Sequence, residues 1–567
     1  MFKETLAQQG NEVPAIHYFG RNISRSDFIN RVEEWKKAFS VMGVQPEEIV
    51  VLFGPALPEF TEIFMALNAL AAVPYFLKLD SSEESLKEES KEARIAIVLE
   101  DMWDIVRNVF TSDNFETVII ISATDSMPYP LKHVVKGLNA INRKRFPYKQ
   151  YPHCISVTQA LKNAKRVHGQ AQCVPFKEDR IAAITVSSGT TASGVKGIMD
   201  TNESILASLY AMTAAEGRFI SGRRVLVELP FMASTSLNCL FLMTLFSNMT
   251  MVIEPRMSAD TWYDHINKYK PAATITTGTY WDIFFQEVEK RINKGEKVNL
   301  SFADGFSMGG SGTSTQKYQW MNNLLKKCGA STTMLNGYGL SEVFGIMSAQ
   351  KLNVHSGHTP ENCSVNDVGI PIPGFVVSVH DEQGKELKYN NRGELWVSSP
   401  TMMHGYYNKP ELTASTLING QIHTGDLCSI DEDGFIYVYG RINNSIVING
   451  ERTYLFDIAD TTRMHFSLAE CMVEKKELEN GNTELVMYLA QWKDNVIDEK
   501  ELIEQIKAFL PEAYQIVGFK LYITALPANP STLKPRTNDL DGFVNYEEGK
   551  IVKISYKKTI GGKLKRV

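Results

Sequence analysis

Residues 184–199, ITVSSGTTASGVKGIM, decide how the rest of the chain is read. A β-prone run breaks there into a loop of glycines, hydroxyls and one lysine. Gly189, Gly194 and Gly197 let the backbone turn tightly with its N–H groups inward. Ser187, Ser188, Thr190, Thr191 and Ser193 supply rotatable donors, and Lys196 supplies a positive charge. This set suits a phosphate. Apolar residues on both sides, Ile181 to Val186 before and Ile198 and Met199 after, predict a loop slung from buried strands.

Two other readings compete. A Ser/Thr/Gly cluster is also the composition of a solvated turn. A Walker-type loop has the right gap between Gly189 and Gly194, but Val195 separates the second glycine from Lys196. Gly197 then stands where a magnesium-binding hydroxyl should follow the lysine. A phosphate loop of another kind is left, and other stretches decide it.

With 567 residues the chain has room for two to four domains, and 44% hydrophobic with 22% charged residues is ordinary for a globular protein. A net charge of −6 and a pI near 6.1 argue against nucleic acid as a partner, although the tail from Lys553 is basic and reads as a solvated strand pair. Seven cysteines are scattered without CxxC or Cys/His spacing, which fits a reducing, cytoplasmic setting and offers no cysteine-based metal site. The N-terminus lacks the apolar core of a signal peptide. One nearly uncharged run, Leu229 to Ile253, is long enough to span a bilayer. Its proline, three serines, two asparagines and three threonines predict a buried helix followed by a strand instead.

Residues 15 to 120 alternate between helical and strand periods: helices near 25–42, 59–72 and 82–92, strands at 48–54, 73–76 and 94–100. Such alternation implies a mostly parallel sheet with helices on its faces. The stretch 126–179 is polar and weakly patterned and reads as surface helix and loop. Alternation resumes after the loop, with a buried helix at 237–246 and Gly-rich turns at 307–314 and 335–345. From Val368 the texture turns to β, with DG and QG turns between period-two runs. A further α/β unit begins near Ile446, and the polar GRINNS at 440–445 is the expected boundary. The expectation is an α/β fold with a large N-terminal domain over 1–440, including a small β-barrel-like subdomain, a hinge at 441–445 and a small mobile α+β domain over 446–567.

The opening loop is similar to TSGTTGxPKG, and five further stretches follow in order: NGYGLSE at 336–342, RGELWVSSPTMMHGYYNKPELTAS at 392–415, HTGDLCSIDEDGFIYVYGR at 423–441, INNSIVINGERTY at 442–454 and ITALPANPSTLKPR at 523–536. Together they resemble the adenylate-forming superfamily of acyl-CoA synthetases, luciferase and peptide-synthetase adenylation domains. The resemblance covers about residues 10 to 540.

It implies a division of labour that chemistry supports. Bringing a carboxylate to ATP costs about 4 kcal/mol per unit-charge pair at ~4 Å and a dielectric of ~20, so screening comes first. The loop at 187–197, with Lys196, would hold the β- and γ-phosphates. Glu342 would help hold Mg²⁺, a hard ion that prefers oxygen. Tyr338 would stack on adenine, walled by Gly310, Ser311, Gly312, Asn336 and Gly337, with Ser341 a further ATP-binding residue. Asp426 would accept the ribose hydroxyls beside Arg441. Lys534 would be the mobile catalytic lysine, neutralising charge in the transition state. The family's LPxTxxGKxxR is LPANPSTLKPR here, and TIGGKLKR at 559–566 makes Lys563 a second candidate. The loop also carries an extra residue and Val195 in place of proline, and the usual hinge aspartate is Asn443.

For the acid, the position that holds an ammonium-binding aspartate in amino-acid-activating relatives is Met232, which disfavours an α-amino acid. Phe231, Met232, Ala233, Ser234, Gly278, Tyr280, Met308, Gly309 and Phe344 are the expected pocket wall. The implied reaction joins an acyl or aryl acid to ATP as acyl-AMP, then passes it to a thiol, CoA or an acyl or peptidyl carrier protein's phosphopantetheine. The alternative of another class is a nucleotide-binding scaffold that has lost catalysis. A monomer or homodimer without a membrane span is expected.

Overall fold

The computed structural model describes residues 2–566 apart from 142–145, 166–170, 188–194, 216–219, 257, 259–260, 311–314, 351–365, 449–450, 515, 524, 527–538, 548–549 and 560–562. Two large sheets form the N-terminal part. In the first, Val73–Phe76, Ile49–Phe53, Ile95–Leu99, Thr117–Ile121 and Cys154–Ser156 run parallel outward from Ile181–Val186. Strands covered on both faces read as continuous apolar runs, and Val73–Phe76 and Ile95–Leu99 are buried along their whole length. On the other side Ile181–Val186 pairs antiparallel with Gly197–Thr201, which pairs antiparallel with Gly405–Tyr406. In the second sheet, Ile16–Tyr18, Thr250–Ile253, Arg224–Val227, Ala273–Thr276, Gly305–Met308 and Leu335–Leu340 lie parallel in that order.

The smaller parts are antiparallel. Val376–His380, Gly393–Ser398, Gln421–Ile430 and Ile436–Arg441 make a curved half-barrel sheet. Beyond it, Glu470–Glu477, Thr483–Gln491, Ile516–Ile523, Phe543–Glu547 and Lys550–Ile554 form a sheet that packs on the helices Leu455–His465 and Glu499–Phe509. The fold is therefore α/β with a half-barrel subdomain and a small α+β C-terminal domain. The basic tail is an antiparallel pair, Tyr556–Lys558 with Leu564–Arg566.

Two sequence expectations change, and a third, the buried helix and strand expected over 229–253, holds with a different helix type. The glycine-containing stretch 335–345 is not a turn; Leu335–Leu340 is a sheet strand that pairs with Gly345–Ala349 around a short helical turn at Ser341–Val343. It can pair so closely because Gly339 has no side chain, a Cβ there lying 1.8 Å from the Gly345 carbonyl oxygen. The apolar run 229–253 holds a wide π-helical segment, Ser236–Leu242, then Met243–Phe246 in α form. Among the described residues no helix is long and apolar enough to cross a membrane. The weakly patterned stretch 126–179 contributes an edge strand, Cys154–Ser156, beside its helices. A three-residue strand is too short to show a period.

The C-terminal sheet is tied to the N-terminal part by a buried charge cluster. Lys317, with a fully buried side chain, is ion-paired with the equally buried Asp282 and reaches Glu470 of the C-terminal sheet at 2.6 Å. The other Glu470 oxygen accepts the Leu526 N–H at 2.8 Å. Beside it Trp320 meets Trp492 edge to face, and at the far end Arg392 grips both oxygens of Asp457 at 2.8 and 3.0 Å. Two carboxylates share one lysine, and burial pushes the Asp282 carboxyl up to about 8 against the pull of Lys317.

Lys317→Met should cost about 3–5 kcal/mol in urea unfolding, because it strands two carboxylates away from water. A carboxyl raised in the folded state contributes stability in full below its ordinary value of 3.8 and loses it as pH rises through about 8. Asp282→Asn should flatten the stability–pH curve across that window.

Candidate active site

The candidate site is a cavity of about 1300 Å³ between the two large sheets and the half-barrel sheet. Its first end is made by the hairpin Ile181–Val186 and Gly197–Thr201. The Ser187 N–H donates to the Lys196 carbonyl at 3.2 Å, closing the base of the loop, and the Val186 N–H donates to Met232 O at 2.9 Å. Lys409 donates to the Val195 carbonyl at 2.8 Å. Gly197 is required where it stands: a Cβ there would meet the Tyr75 hydroxyl at 2.8 Å and Ile184 at 3.1 Å. The tip of the loop, Ser188, Gly189, Thr190, Thr191, Ser193 and Gly194, lies outside the described residues, as do Ser311, Gly312 and Lys534.

Lys196 lies over the Tyr406 ring at 5.3 Å, and the Tyr406 hydroxyl donates to Glu342 at 2.7 Å. Burial lowers the Lys196 ammonium's pKa, with the Glu342 charge opposing. Glu342 stands in the turn Ser341–Val343, where its carbonyl accepts the Met403 N–H at 2.8 Å. Among the described residues no group of three acidic, His or Cys side chains could hold a metal by itself. A single carboxylate close enough to act on Lys196 fits the Mg²⁺ that the resemblance implies, an ion that takes one or two carboxylates and completes its shell with phosphate oxygens and water.

The second end rests on a cross-strand pair. Asp426 and Arg441, fifteen residues apart, are direct partners in the hairpin of Gln421–Ile430 with Ile436–Arg441. Arg441 Nε lies 3.1 Å from Asp426 Oδ1, and the Tyr338 hydroxyl donates to Asp426 Oδ2 at 2.5 Å. Arg441 also donates to the Thr424 carbonyl at 2.7 Å. Burial first, then the Asp426 charge, holds the Tyr338 hydroxyl protonated far above its usual range. Asn336, Gly337, Gly310 and Ser341 line the same cavity, with the Asn336 amide held by the Asp367 carbonyl at 2.9 Å.

Of the expected pocket wall, Met232, Ala233, Met308 and Gly309 line the cavity. The other five do not, and the correction has a packing reason. Phe231 is 1% exposed between Phe76 and Phe241, Tyr280 packs on Trp262, and Phe344 is buried with its carbonyl bound to the Asn238 amide. Gly278 begins a buried helix, and Ser234 is buried behind the wall. Asn443 lines the cavity mouth, and its carbonyl accepts from Lys475 of the C-terminal sheet at 2.8 Å.

Sequence reasoning missed Tyr406, Lys409 and Asp200. The first two stand inside the quoted GYYNKPE stretch, but nothing local says that they reach the loop. Asp200, in the hairpin strand Gly197–Thr201 itself, is fully buried and accepts from Thr185 at 3.0 Å. Burial and the Glu342 charge push its carboxyl well above the usual range.

A family model described as AMP-binding enzyme matches residues 2–407. The chain belongs to that family. This AMP-binding enzyme is 25% identical over 539 residues to a long-chain-fatty-acid–CoA ligase of Escherichia coli, covering 92% of this chain and 89% of that one. It is 23% identical over 506 residues to the 4-coumarate–CoA ligase of Pinus taeda, covering 86% and 84%. Among solved structures, ATP-bound MatB from Rhodopseudomonas palustris superposes with a TM-score of 0.74 at 19% identity, over 95% of this chain and 98% of that one. The anthranilate CoA ligase AuaEII in complex with anthranoyl-AMP gives 0.73 at 17%, over 94% and 95%. These likenesses carry the fold, including its two-domain architecture.

Asp426→Ala in the AMP-binding enzyme should lower kcat/KM for ATP by about 100-fold, the loss of two charge-assisted hydrogen bonds. Pyrophosphate exchange measures it, with circular dichroism as the control for folding.

Proposed function

We propose that this enzyme activates a carboxylic acid with ATP, releasing pyrophosphate, and passes the acyl group to a thiol. The observation that carries the reading is one cavity with Lys196 and Glu342 at one end, Tyr338 and Arg441 backed by the buried Asp426 carboxylate at the other, and an apolar wall between. Asp426 and Arg441 hold the ribose, Tyr338 and the Asn336–Gly337 backbone face the base, and the hairpin with Lys196 holds the phosphates. Glu342 holds Mg²⁺, which when bound offsets phosphate charge. Lys534 neutralises the charge that builds as the carboxylate oxygen attacks the α-phosphorus and pyrophosphate leaves. The domains are 1–440 and 446–567, turning about Asn443 between the two half-reactions.

The acid is acyl or aryl. The wall beside Met232 is built from Met212, Ala215, Ala233 and Ile275, and the acidic groups that line the described cavity are Glu342 and Glu394 alone. Tyr406 occupies the first, and the Gly425 N–H and the Trp396 indole occupy the second. The first is the carboxylate proposed for Mg²⁺, the second is tied to the half-barrel sheet, and Met232 offers no acceptor to an α-ammonium group, which would be costly to bury unpaired. Relatives named CoA ligases that span most of the chain support CoA, ahead of a carrier protein's phosphopantetheine, as acceptor.

Pyrophosphate exchange should appear with members of a panel of aryl and fatty acids and not with α-amino acids. Exchange with no acid at all would sink the reading in favour of a nucleotide-binding scaffold. Lys534→Ala should reduce exchange by about 100-fold or more, while Lys563→Ala stays near wild type.

A further inference from the structure

We propose that the helix Leu131–Ile141 docks this enzyme onto an anionic phospholipid surface. The helix is the crossover between the strands Thr117–Ile121 and Cys154–Ser156, at the edge of the first sheet. A surface helix ordinarily turns its apolar stripe to the core. Here Val135 packs inward, but Leu131, Val134 and Leu138 are 38%, 56% and 53% exposed. Their spacing of three and then four residues puts them on one face. Tyr129, 79% exposed, precedes them and adds an aromatic of the kind that sits at a bilayer interface.

The sequence of this segment is one-sided in charge, with Lys165 and Lys177 ion-paired to Glu34 and Glu47. From Ser126 to Lys177 the sequence contains ten Lys and Arg and no Asp or Glu, in a chain whose net charge is −6. Lys132, at the start of the helix, donates to the Asp125 carbonyl at 2.7 Å. Weak apolar insertion and a polybasic neighbourhood are the two signals that together give stable, reversible membrane attachment.

Other occupants fit less well. Nucleic acid would use the positive charge and gain nothing from exposed Leu and Val side chains. A second copy of the chain, joined by a two-fold axis through this face, would bring two acid-free segments together. A protein partner needs roughly 800 Å² of complementary surface, whereas one helix face with three apolar side chains and a flanking tyrosine suits a fluid surface that moulds to it.

The test is sedimentation of the full chain with vesicles of phosphatidylcholine alone and of phosphatidylcholine with roughly one-third phosphatidylserine. The enzyme should pellet with the anionic vesicles, stay in solution with the neutral ones, and be released by high salt. Val134→Asp with Leu138→Asp should weaken pelleting by about tenfold or more, with melting temperature and pyrophosphate exchange unchanged. No binding to anionic vesicles overturns the proposal, as does equal binding by the double variant. Self-association or nucleic-acid binding that the double variant removes, without vesicle binding, overturns it too. The vesicle readout does not depend on catalysis, so failure of the proposed reaction leaves it intact.

Discussion

A loop of glycines and hydroxyls can direct its donors at one point only if its two ends cannot drift apart. In this protein the ends are the antiparallel strands Ile181–Val186 and Gly197–Thr201, built into the edge of a parallel sheet. Their closeness depends on Gly197, since the Tyr75 hydroxyl occupies the space where any side chain would start. The strand Gly405–Tyr406 adds to the hairpin and brings Tyr406 to both Lys196 and Glu342. The cation and the carboxylate at this end thus share the aromatic ring that this strand pairing puts in place.

The opposite end uses the same device. Asp426 and Arg441 face each other because they are register partners in a hairpin, and Tyr338 reaches them from the second large sheet. The cavity is therefore framed by elements from both large sheets and the half-barrel. Its geometry is as rigid as those sheets. The C-terminal domain is held differently, through the Lys317 cluster and a few exposed ion pairs. Buried ion pairs offset their own desolvation poorly. An interface of that kind can be given up and re-made at low net cost, which suits a domain proposed to turn between two half-reactions.

Much of the fold was legible along the chain. Ile49–Phe53 and Ile95–Leu99 are apolar at nearly every position because parallel strands are covered on both faces, so their type follows from local sequence. The stretch 335–345 was not legible. Its glycines look like a turn, and only the partner strand Gly345–Ala349 shows that they permit close pairing. Cys154–Ser156 was too short to carry a period.

For the site, the order of six motifs and the type of chemistry were in the sequence, because residue identity is what the chemistry selects. The sequence by itself determined an α/β architecture, family membership, and the residues Lys196, Tyr338, Glu342, Asp426 and Arg441 as candidates. Tertiary structure decided which of them meet. It put Phe231, Tyr280 and Phe344 in the core although they neighbour wall residues, and it raised Tyr406, Lys409 and Asp200 to notice. It also turned the apolar face of Leu131–Ile141 outward. The physical reason is common to all of these: a side chain's period and type are local properties, whereas its direction and its neighbours are fixed by pairings between strands far apart in the chain.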